Sequence, residues 1–260
     1  MKLPEHHSVT LTPEIRRPGV FGPKVAAGFS TRHGGRSSRD FGTLNVGLNT
    51  ADVETAVLQN RNILFGAIGK KWSDVAVAGQ VHGTSVTYVN APGLYANTDA
   101  LVTDRPGQIL AITAADCAVV LIADEVEGVV AACHAGWRGA AGRVCSLTIK
   151  SMIGLGAKPE HMRAYVSPCI SADRFEVGDE VARLFDDRHV VRKKEWPRPH
   201  VDLKAVLAEE LSSCGISAAA MEVSDECTFD SPDFYSYRRC TGRTGRTGRM
   251  MGFIMMLPTG

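Results

Sequence analysis

The hydrophobic residues of the chain fall into short apolar runs and longer helical repeats that alternate along its length. Continuous apolar runs predict strands that are buried on both faces of a sheet, at residues 109–113, 119–123 and 129–133. Shorter apolar segments predict further strands at residues 25–30, 75–78 and 85–89. The longest apolar run is far shorter than a bilayer-spanning helix, so we expect no membrane span.

Helices are predicted between these strands. One is expected over about residues 52–68, with Asp52 as its N-cap, because apolar residues recur there at helical spacing. Two more are expected to begin near Gly139 and near Gly178, and a fourth to cover residues 203–214. Strands and helices that interleave in this way indicate a mixed α/β fold.

Composition fits a single globular domain. The chain has 260 residues, of which 44% are hydrophobic and 22% charged, so it can bury a sizeable core. The formal net charge is +1, which argues against nucleic-acid binding by bulk electrostatics. No Pro- or Ser-rich linker divides the sequence. We predict an irregular lead-in over residues 1–23 and one mixed-sheet α/β domain with flanking helices over residues 24–260.

Cysteine usage and the N-terminus both point to the cytoplasm. The first residues lack the apolar core of a secretory signal. The 7 cysteines are irregularly spaced and include no C-x-x-C, which disfavours a disulfide framework, a zinc ribbon or a thioredoxin-type site. We expect most of these cysteines to be small buried hydrophobes and at least one to be a reactive thiolate or a metal ligand.

Common catalytic motifs are missing from the sequence. There is no P-loop, no G-x-G-x-x-G, no G-x-S-x-G and no H-E-x-x-H. The zinc-deaminase signature also fails, because Ile170 and Ser171 follow the Pro168–Cys169 pair where a second cysteine would be needed.

Three segments instead place reactive side chains at the ends of predicted strands, where α/β folds build their sites. They carry His82, Cys117 and His134, which are too far apart in sequence for a local zinc knuckle. If the fold brings them together, they form a His₂Cys set with a fourth position open, as in a catalytic zinc site. The metal would then activate water or a substrate oxygen, and Asp116 could hydrogen-bond an imidazole or move a proton.

Other interpretations of these residues remain open. Each alone is more often a surface histidine or a core cysteine than a ligand. Cys117 could also be a nucleophile with His82 or His134 as its base, which requires the same proximity. Cys133 competes with His134, but strand alternation points it to the opposite face. Copper is disfavoured, because no histidine or axial methionine follows Cys117 closely and no H-x-H pair occurs.

Motifs spread in order from about residue 20 to 256 closely resemble the YfiH family, which carries the names laccase-domain and polyphenol oxidase. The first six are FSTRHGG at 29–35, LNVG at 44–47, QVHG at 80–83, DALVT at 99–103, ADC at 115–117 and HAGWRG at 134–139. The rest are FEVG at 175–178, CT at 227–228, FYSYRR at 234–239 and TGRM at 247–250.

This resemblance implies an activity and a cofactor. Family members are described as purine nucleoside phosphorylases with one zinc ion, held by residues that match His82, Cys117 and His134. The implied reaction is phosphorolysis of adenosine, inosine and 5′-methylthioadenosine to a free base and a ribose 1-phosphate, with adenosine deamination as a side activity. A thiol- or zinc-dependent hydrolase that edits peptidoglycan precursors is the alternative, because a bacterial member is linked to that process.

Phosphate as a co-substrate requires cationic groups. Arg32, Arg61 and Arg138 are the candidates, because a guanidinium is always charged and matches phosphate oxygens bidentately. The backbone N–H groups of Gly34 and Gly35 could also face an anion. We therefore expect purine nucleosides and phosphate as partners, and neither a membrane nor nucleic acid.

The sequence departs from the family pattern at two places. Val119 stands where the family often has proline two residues after the cysteine, which alters strand stiffness and not the number of ligands. Residues 241–249 repeat Thr-Gly-Arg three times, where one copy is usual. This repeat is typical of a solvated loop, and a phosphate- or nucleic-acid-contacting arm is the alternative.

Overall fold

The computed structural model describes residues 11–241 and 243–258. The strands in this part of the chain are β1 (Ile15–Arg16), β2 (Val25–Ser30), β3 (Val75–Gly79), β4 (Val86–Tyr88), β5 (Gly93–Ala96), β6 (Ala100–Thr103), β7 (Ile109–Ala114), β8 (Ala118–Asp124), β9 (Val129–Ala135), β10 (Met162–Val166), β11 (Val190–Val191), β12 (His200–Val201), β13 (Met221–Val223) and β14 (Met250–Met256). The α-helices are α1 (Glu54–Gly66), α2 (Trp137–Ala141), α3 (Val144–Gly154), α4 (Asp179–Ala182), α5 (Leu203–Ser213) and α6 (Tyr237–Cys240).

Most of the strands form two six-stranded sheets. The first has the order β1-β2-β14-β7-β3-β5 and the second the order β13-β10-β8-β9-β6-β4, while β11 and β12 form a separate pair. Both sheets are mixed: β3 runs parallel to β5 and β7, and β8 runs antiparallel to β9 and β10. This confirms the predicted mixed α/β fold class.

The two sheets pack face to face, with helices on their outer faces. Apolar side chains of β2, β7, β8 and β9 fill the layer between the sheets. Helix α1 covers the outer face of the first sheet, and helices α3 and α5 cover that of the second. Strand β8 is buried along its whole length, with Val119 and Leu121 facing the layer between the sheets and Val120 and Ile122 facing the helices. The continuous apolar runs follow from burial on both faces.

The register of β8 and β9 begins to assemble a site. Ala118 at the start of β8 is the cross-strand partner of Ala135 at the end of β9, and Val119 is the partner of His134. Cys117 directly precedes β8, so its side chain lies beside the end of β9 at one edge of the sheet. The Val119 N–H donates a hydrogen bond to the Ser167 hydroxyl at 2.9 Å. Proline at this position has no N–H and could not donate this hydrogen bond.

The helix predictions needed three corrections. Helix α1 begins at Glu54, and Asp52 is not its cap, because the Asp52 carboxylate accepts hydrogen bonds from Ser37 and Asn45 instead. The helix predicted near Gly178 is the single turn α4. The segment after Gly139 is split into α2 and α3, because Arg143 adopts a left-handed conformation with φ of 61°.

Sequence patterns missed three strands in the interior of the sheets, β6, β10 and β14. β14 lies between β2 and β7 in the first sheet, although its methionine-rich sequence directly follows the Thr-Gly-Arg repeat. Of the predicted lead-in, residues 1–10 lie outside the described residues, and Ile15–Arg16 pairs with β2 as an edge strand. No helix in the described segments has both the length and the apolar character needed to span a bilayer.

Candidate metal centre

Three side chains that are distant in sequence converge at the seam between the two sheets. One potential ligand atom from each of His82, Cys117 and His134 lies within 4.8 Å of the others. The two imidazole rings meet edge to face, with centroids 4.8 Å apart and planes at 87°. His134 is 3% exposed, Cys117 is partly exposed and His82 is exposed, so the group is open to solvent on one side.

Asp99 fixes the position of His82 through the backbone. Its carboxylate accepts hydrogen bonds from the N–H groups of Val81, His82 and Gly83 at 3.2, 3.0 and 2.7 Å. His82 has a φ of 59°, a left-handed conformation that is uncommon outside glycine. Successive N–H groups in such a turn form a concave anion site, and here the buried carboxylate fills it.

Asp99 also orients the second histidine. Nδ1 of His134 lies 2.8 Å from Oδ1 of Asp99, and the His134 backbone N–H donates to the Asp99 carbonyl at 2.7 Å. A proton on Nδ1 leaves Nε2 free as the ligand atom. Sequence reasoning gave Asp99 no role, although it starts the DALVT motif. A carboxylate that begins a buried apolar strand was the available signal, because a buried charge requires partners.

Asp116 positions the Cys117 segment and does not contact an imidazole. Its carboxylate accepts hydrogen bonds from Thr228 Oγ1 at 2.6 Å, Ser236 Oγ at 3.0 Å and the Arg238 backbone N–H at 2.6 Å. Asp116 itself has a φ of 83°. The expected imidazole partner is therefore Asp99, and Asp116 ties the start of β8 to the segment before β14.

The electrostatics of the site favour a thiolate. Burial by itself would raise the pKa of Cys117, but hydrogen bonds with His134 and His82 outweigh it and lower that pKa to about 6. Burial by itself would lower the pKa of His134, but hydrogen bonds to Asp99 and Cys117 raise it to about 10. The thiolate is the form of cysteine that binds metals, whereas a ligand imidazole must be neutral, so His134 would release its Nε2 proton when a metal binds.

Gly136 forms the floor of the site. A β-carbon built there would lie 2.9 Å from Cys117 Sγ, 3.6 Å from His82 Cδ2 and 3.7 Å from His134 Cε1. Its φ of −75° suits any residue, so glycine is needed for space and not for conformation. The glycine lets the start of α2 approach all three ligand side chains at once.

Cys133 faces away from this group, as strand alternation predicts. It belongs to the core between the second sheet and its helices, and its thiol contacts Cys145. His134 is thus the member of the pair that points to the seam.

The three predicted phosphate arginines have different surroundings. Arg32 donates to the Gly42 carbonyl and lies over the Tyr235 ring. Arg61 is buried, donates to the Val46 carbonyl and stacks on Trp72, and burial lowers its pKa to about 10. Arg138 is exposed and lies over the ring of its neighbour Trp137. Among the described residues, none of these arginines hydrogen-bonds a member of the His₂Cys group.

Arg249 is a cationic residue near the site, and the sequence analysis treated it only as part of the Thr-Gly-Arg repeat. Its backbone N–H donates to Asn45 Oδ1, and its guanidinium donates to the Thr247 and Gly248 carbonyls. Burial lowers the pKa of Arg249, while the negative charges of nearby Cys117 and other acidic groups oppose the shift. Arg249 of the last Thr-Gly-Arg copy therefore lies within electrostatic range of Cys117, whereas Arg243 and Arg246 are exposed.

The backbone of Gly34 and Gly35 serves structural contacts. Gly34 has a φ of 91°, and a β-carbon there would meet the Thr12 carbonyl at 2.2 Å. The Gly35 N–H donates to Thr43 Oγ1 at 3.2 Å. The Gly35 N–H group already has a partner within the protein.

The donor set fits a catalytic metal. Two imidazole nitrogens and one thiolate with an open side are the ligands that zinc uses in catalytic sites. The carboxylate on the far nitrogen of a ligand histidine, which Asp99 provides, is a recurring feature of such sites.

The chain is similar to known proteins over most of its length. A family model described as "Multi-copper polyphenol oxidoreductase laccase" matches residues 26–257. A protein of Deinococcus radiodurans named purine nucleoside phosphorylase is 39% identical over 245 residues, which cover 92% of this chain and 92% of that protein. A protein of an unknown prokaryotic organism named adenosine deaminase RL5 is 31% identical over 237 residues, or 84% of this chain and 90% of that protein.

The fold has close structural relatives as well. The crystal structure of the Bacillus licheniformis hypothetical protein YfiH matches with a TM-score of 0.83 and 32% identity, covering 89% of this chain and 92% of that one. The chain therefore belongs to the laccase-domain family, the YfiH family that its motifs resemble.

Proposed function

We propose that the protein is a zinc-dependent purine nucleoside phosphorylase. It would cleave adenosine, inosine and 5′-methylthioadenosine with phosphate, giving the free base and a ribose 1-phosphate. The observation that carries the proposal is the convergence of His82, Cys117 and His134 within 4.8 Å. The printed name of the Deinococcus radiodurans relative supplies the reaction.

Zinc is the proposed ion because the donor set is two nitrogens and one sulfur with an open side. When bound, zinc supplies a Lewis acid that stabilises negative charge on an oxygen at the open position. His134 is held in one tautomer by Asp99, so its Nε2 faces the ion without reorganisation. His82 is exposed, so it lies at the rim, where substrate enters.

Phosphate needs a cationic partner beside the metal. Arg249 suits this role because it is close enough for the charge of Cys117 to act on it. Only one nitrogen of its guanidinium, Nη1, donates to protein carbonyls. Arg32, Arg61 and Arg138 remain further candidates, because none of them forms an ion pair within the described part of the chain. A guanidinium without a carboxylate partner keeps its charge for an anionic ligand.

Asp116 acts, in this proposal, as a positioning residue. Three donors already occupy its carboxylate, which holds Cys117 at the start of β8. With both carboxylate oxygens occupied by these donors, Asp116 is assigned no proton transfer in this proposal.

Adenosine deamination is the proposed side activity. The specific observation in its favour is the relative named adenosine deaminase, which matches 84% of this chain. Adenosine would then give inosine without phosphate and adenine with it, so the two reactions can be separated by their products.

The test is a phosphate-dependent assay with the zinc-loaded protein. Inosine and phosphate should release hypoxanthine, and Cys117→Ala should abolish the release, while Cys214→Ala at a partly exposed cysteine should not. Release of no base, or equal release by Cys117→Ala, would overturn the proposal. Turnover of peptidoglycan precursors without phosphate would support the hydrolase alternative instead.

Arg249 has a matched control in the preceding repeat. Arg249→Met should raise the KM for phosphate by about tenfold or more, because a hydrogen bond to a charged group contributes about 1.5–3 kcal/mol. Arg246→Met, at an exposed position, should leave that KM unchanged. Equal KM values for both variants would remove Arg249 from the phosphate site.

A further inference from the structure

A cleft lies among residues that neighbour the metal centre in sequence or by hydrogen bonding. It has a volume of about 360 Å³ and is lined by Trp137, Phe175, Glu176, Val181, Arg198 and Arg238, among others. A cleft of this size is at the lower end of the range for small-molecule sites, and it combines aromatic side chains with a few polar groups as those sites do.

Two walls of the cleft are attached directly to the metal centre. Trp137 follows Gly136, where an added β-carbon would contact all three ligand side chains. Arg238 donates its backbone N–H to Asp116, which precedes Cys117. The cleft therefore shares its walls with the segments that hold the metal centre.

The chemistry of the lining is aromatic and rich in hydrogen-bond donors. The Arg238 guanidinium lies 5.5 Å from the centroid of the Phe175 ring, and its Nη1 donates to the Arg174 carbonyl. Glu176, the one carboxylate among the described lining residues, lies 3.9 Å from Arg198 Nη1. Flat faces with guanidinium donors at the edge match a flat heteroaromatic ring whose edge carries acceptors.

We infer that this cleft binds the purine base of the nucleoside, an inference that rests on the proposed function. Trp137 provides the stacking face, and the Arg238 guanidinium donates to the acceptor edge of the base. The ribose then points toward the metal centre, where the phosphate attacks.

The cleft selects 6-oxopurines. Hypoxanthine presents two adjacent acceptors, O6 and N7, which one guanidinium can bind together. Adenine presents an amino donor at the corresponding edge, which faces the guanidinium unfavourably. Inosine should therefore be a better substrate than adenosine.

The experiment measures hypoxanthine and adenine binding to the zinc-loaded protein by isothermal titration calorimetry. Trp137→Leu should weaken hypoxanthine binding by about tenfold or more, since stacking on an aromatic face is lost. Trp137→Phe should stay within about threefold of wild type, which shows that the leucine variant lost a ring face and not its fold. Arg238→Met should bring the affinities for hypoxanthine and adenine close together.

Arg188→Met is the matched control, because Arg188 is exposed, pairs with Asp186 and does not line the cleft. It should bind both bases as wild type does.

The outcomes separate this inference from the proposed function. If phosphorolysis is intact but Trp137→Leu and Arg238→Met bind hypoxanthine like wild type, the cleft assignment is overturned and the function stands. If no phosphorolysis occurs but hypoxanthine binds in a Trp137-dependent way, the function fails and the cleft assignment stands. If wild type binds neither base, the cleft assignment is overturned.

Discussion

Asp99 is the residue on which both histidines of the metal centre depend. It accepts three backbone N–H groups of the His82 turn and the Nδ1–H of His134. Asp99→Asn keeps the size of the side chain but turns an amide NH₂ toward donors. We predict that zinc affinity falls by about 10- to 100-fold, as for other carboxylates behind ligand histidines.

Competition with a chromophoric chelator measures this affinity. Asp104→Asn is the control, because Asp104 is exposed and its partner is the Tyr88 hydroxyl. An Asp99→Asn protein with wild-type zinc affinity would contradict the role given to this carboxylate.

A substitution at Gly136 tests how much space the ligand side chains have in the same site. Gly136→Ala would put a methyl group 2.9 Å from Cys117 Sγ, so the thiolate must move. Overpacking of this kind costs about 1–3 kcal/mol, and we predict a loss of zinc affinity of about tenfold or more. Gly154→Ala is the control, because a β-carbon there meets nothing within 4 Å. Equal zinc retention in both variants would show that the site has more room than the structure indicates.

At the scale of elements, α5 caps α3. Glu210 Oε1 accepts hydrogen bonds from the Ser146 N–H at 2.7 Å and its hydroxyl at 2.9 Å, in the first turn of α3. Arg143, the N-cap residue, makes no side-chain cap. Glu210→Ala should therefore lower the free energy of unfolding by about 1–2 kcal/mol, as the loss of a cap does.

The charge of Glu210 makes its contribution depend on pH. Burial raises the pKa of Glu210, and Oε2 has no hydrogen-bond partner among the described residues. A raised pKa in the folded state means that the stabilisation is complete below the unfolded value of about 4.3 and is lost as pH rises through the folded value. Relative to Glu210→Gln, the wild type should thus lose free energy of unfolding as the pH rises above about 4. Urea denaturation of both proteins measures the difference, and parallel pH profiles would contradict it.

The elements were predictable from the sequence where burial alone determines them. The runs that became β7, β8 and β9 are apolar because both faces of their sheets are covered. Helix caps were harder to predict than strands. Asp52 has a side chain suited to an N-cap, but its carboxylate accepts hydrogen bonds from Ser37 and Asn45 in another loop. β6, β10 and β14 were missed, and β14 lacks a strand signal because its sequence is rich in methionine, which favours helices, and carries Gly252 in its middle.

At the scale of the whole molecule, the site is a product of strand order. His82 follows β3 of the first sheet, whereas Cys117 directly precedes β8 and His134 lies in β9 of the second. The residue types suggested the group, but only the packing of the two sheets brings the three side chains together. Asp99 and Arg249 were given no role from the sequence, because the partners that define their roles come from distant segments.

The central claim is that these three side chains hold one zinc ion. Elemental analysis of the purified protein, wild type against His82→Ala, tests it most directly. We predict one zinc ion per chain in the wild type and less than about a tenth of that in His82→Ala, because two protein ligands are too few for a stable site. A wild type without stoichiometric metal, or a His82→Ala protein that keeps the full amount, would contradict the account.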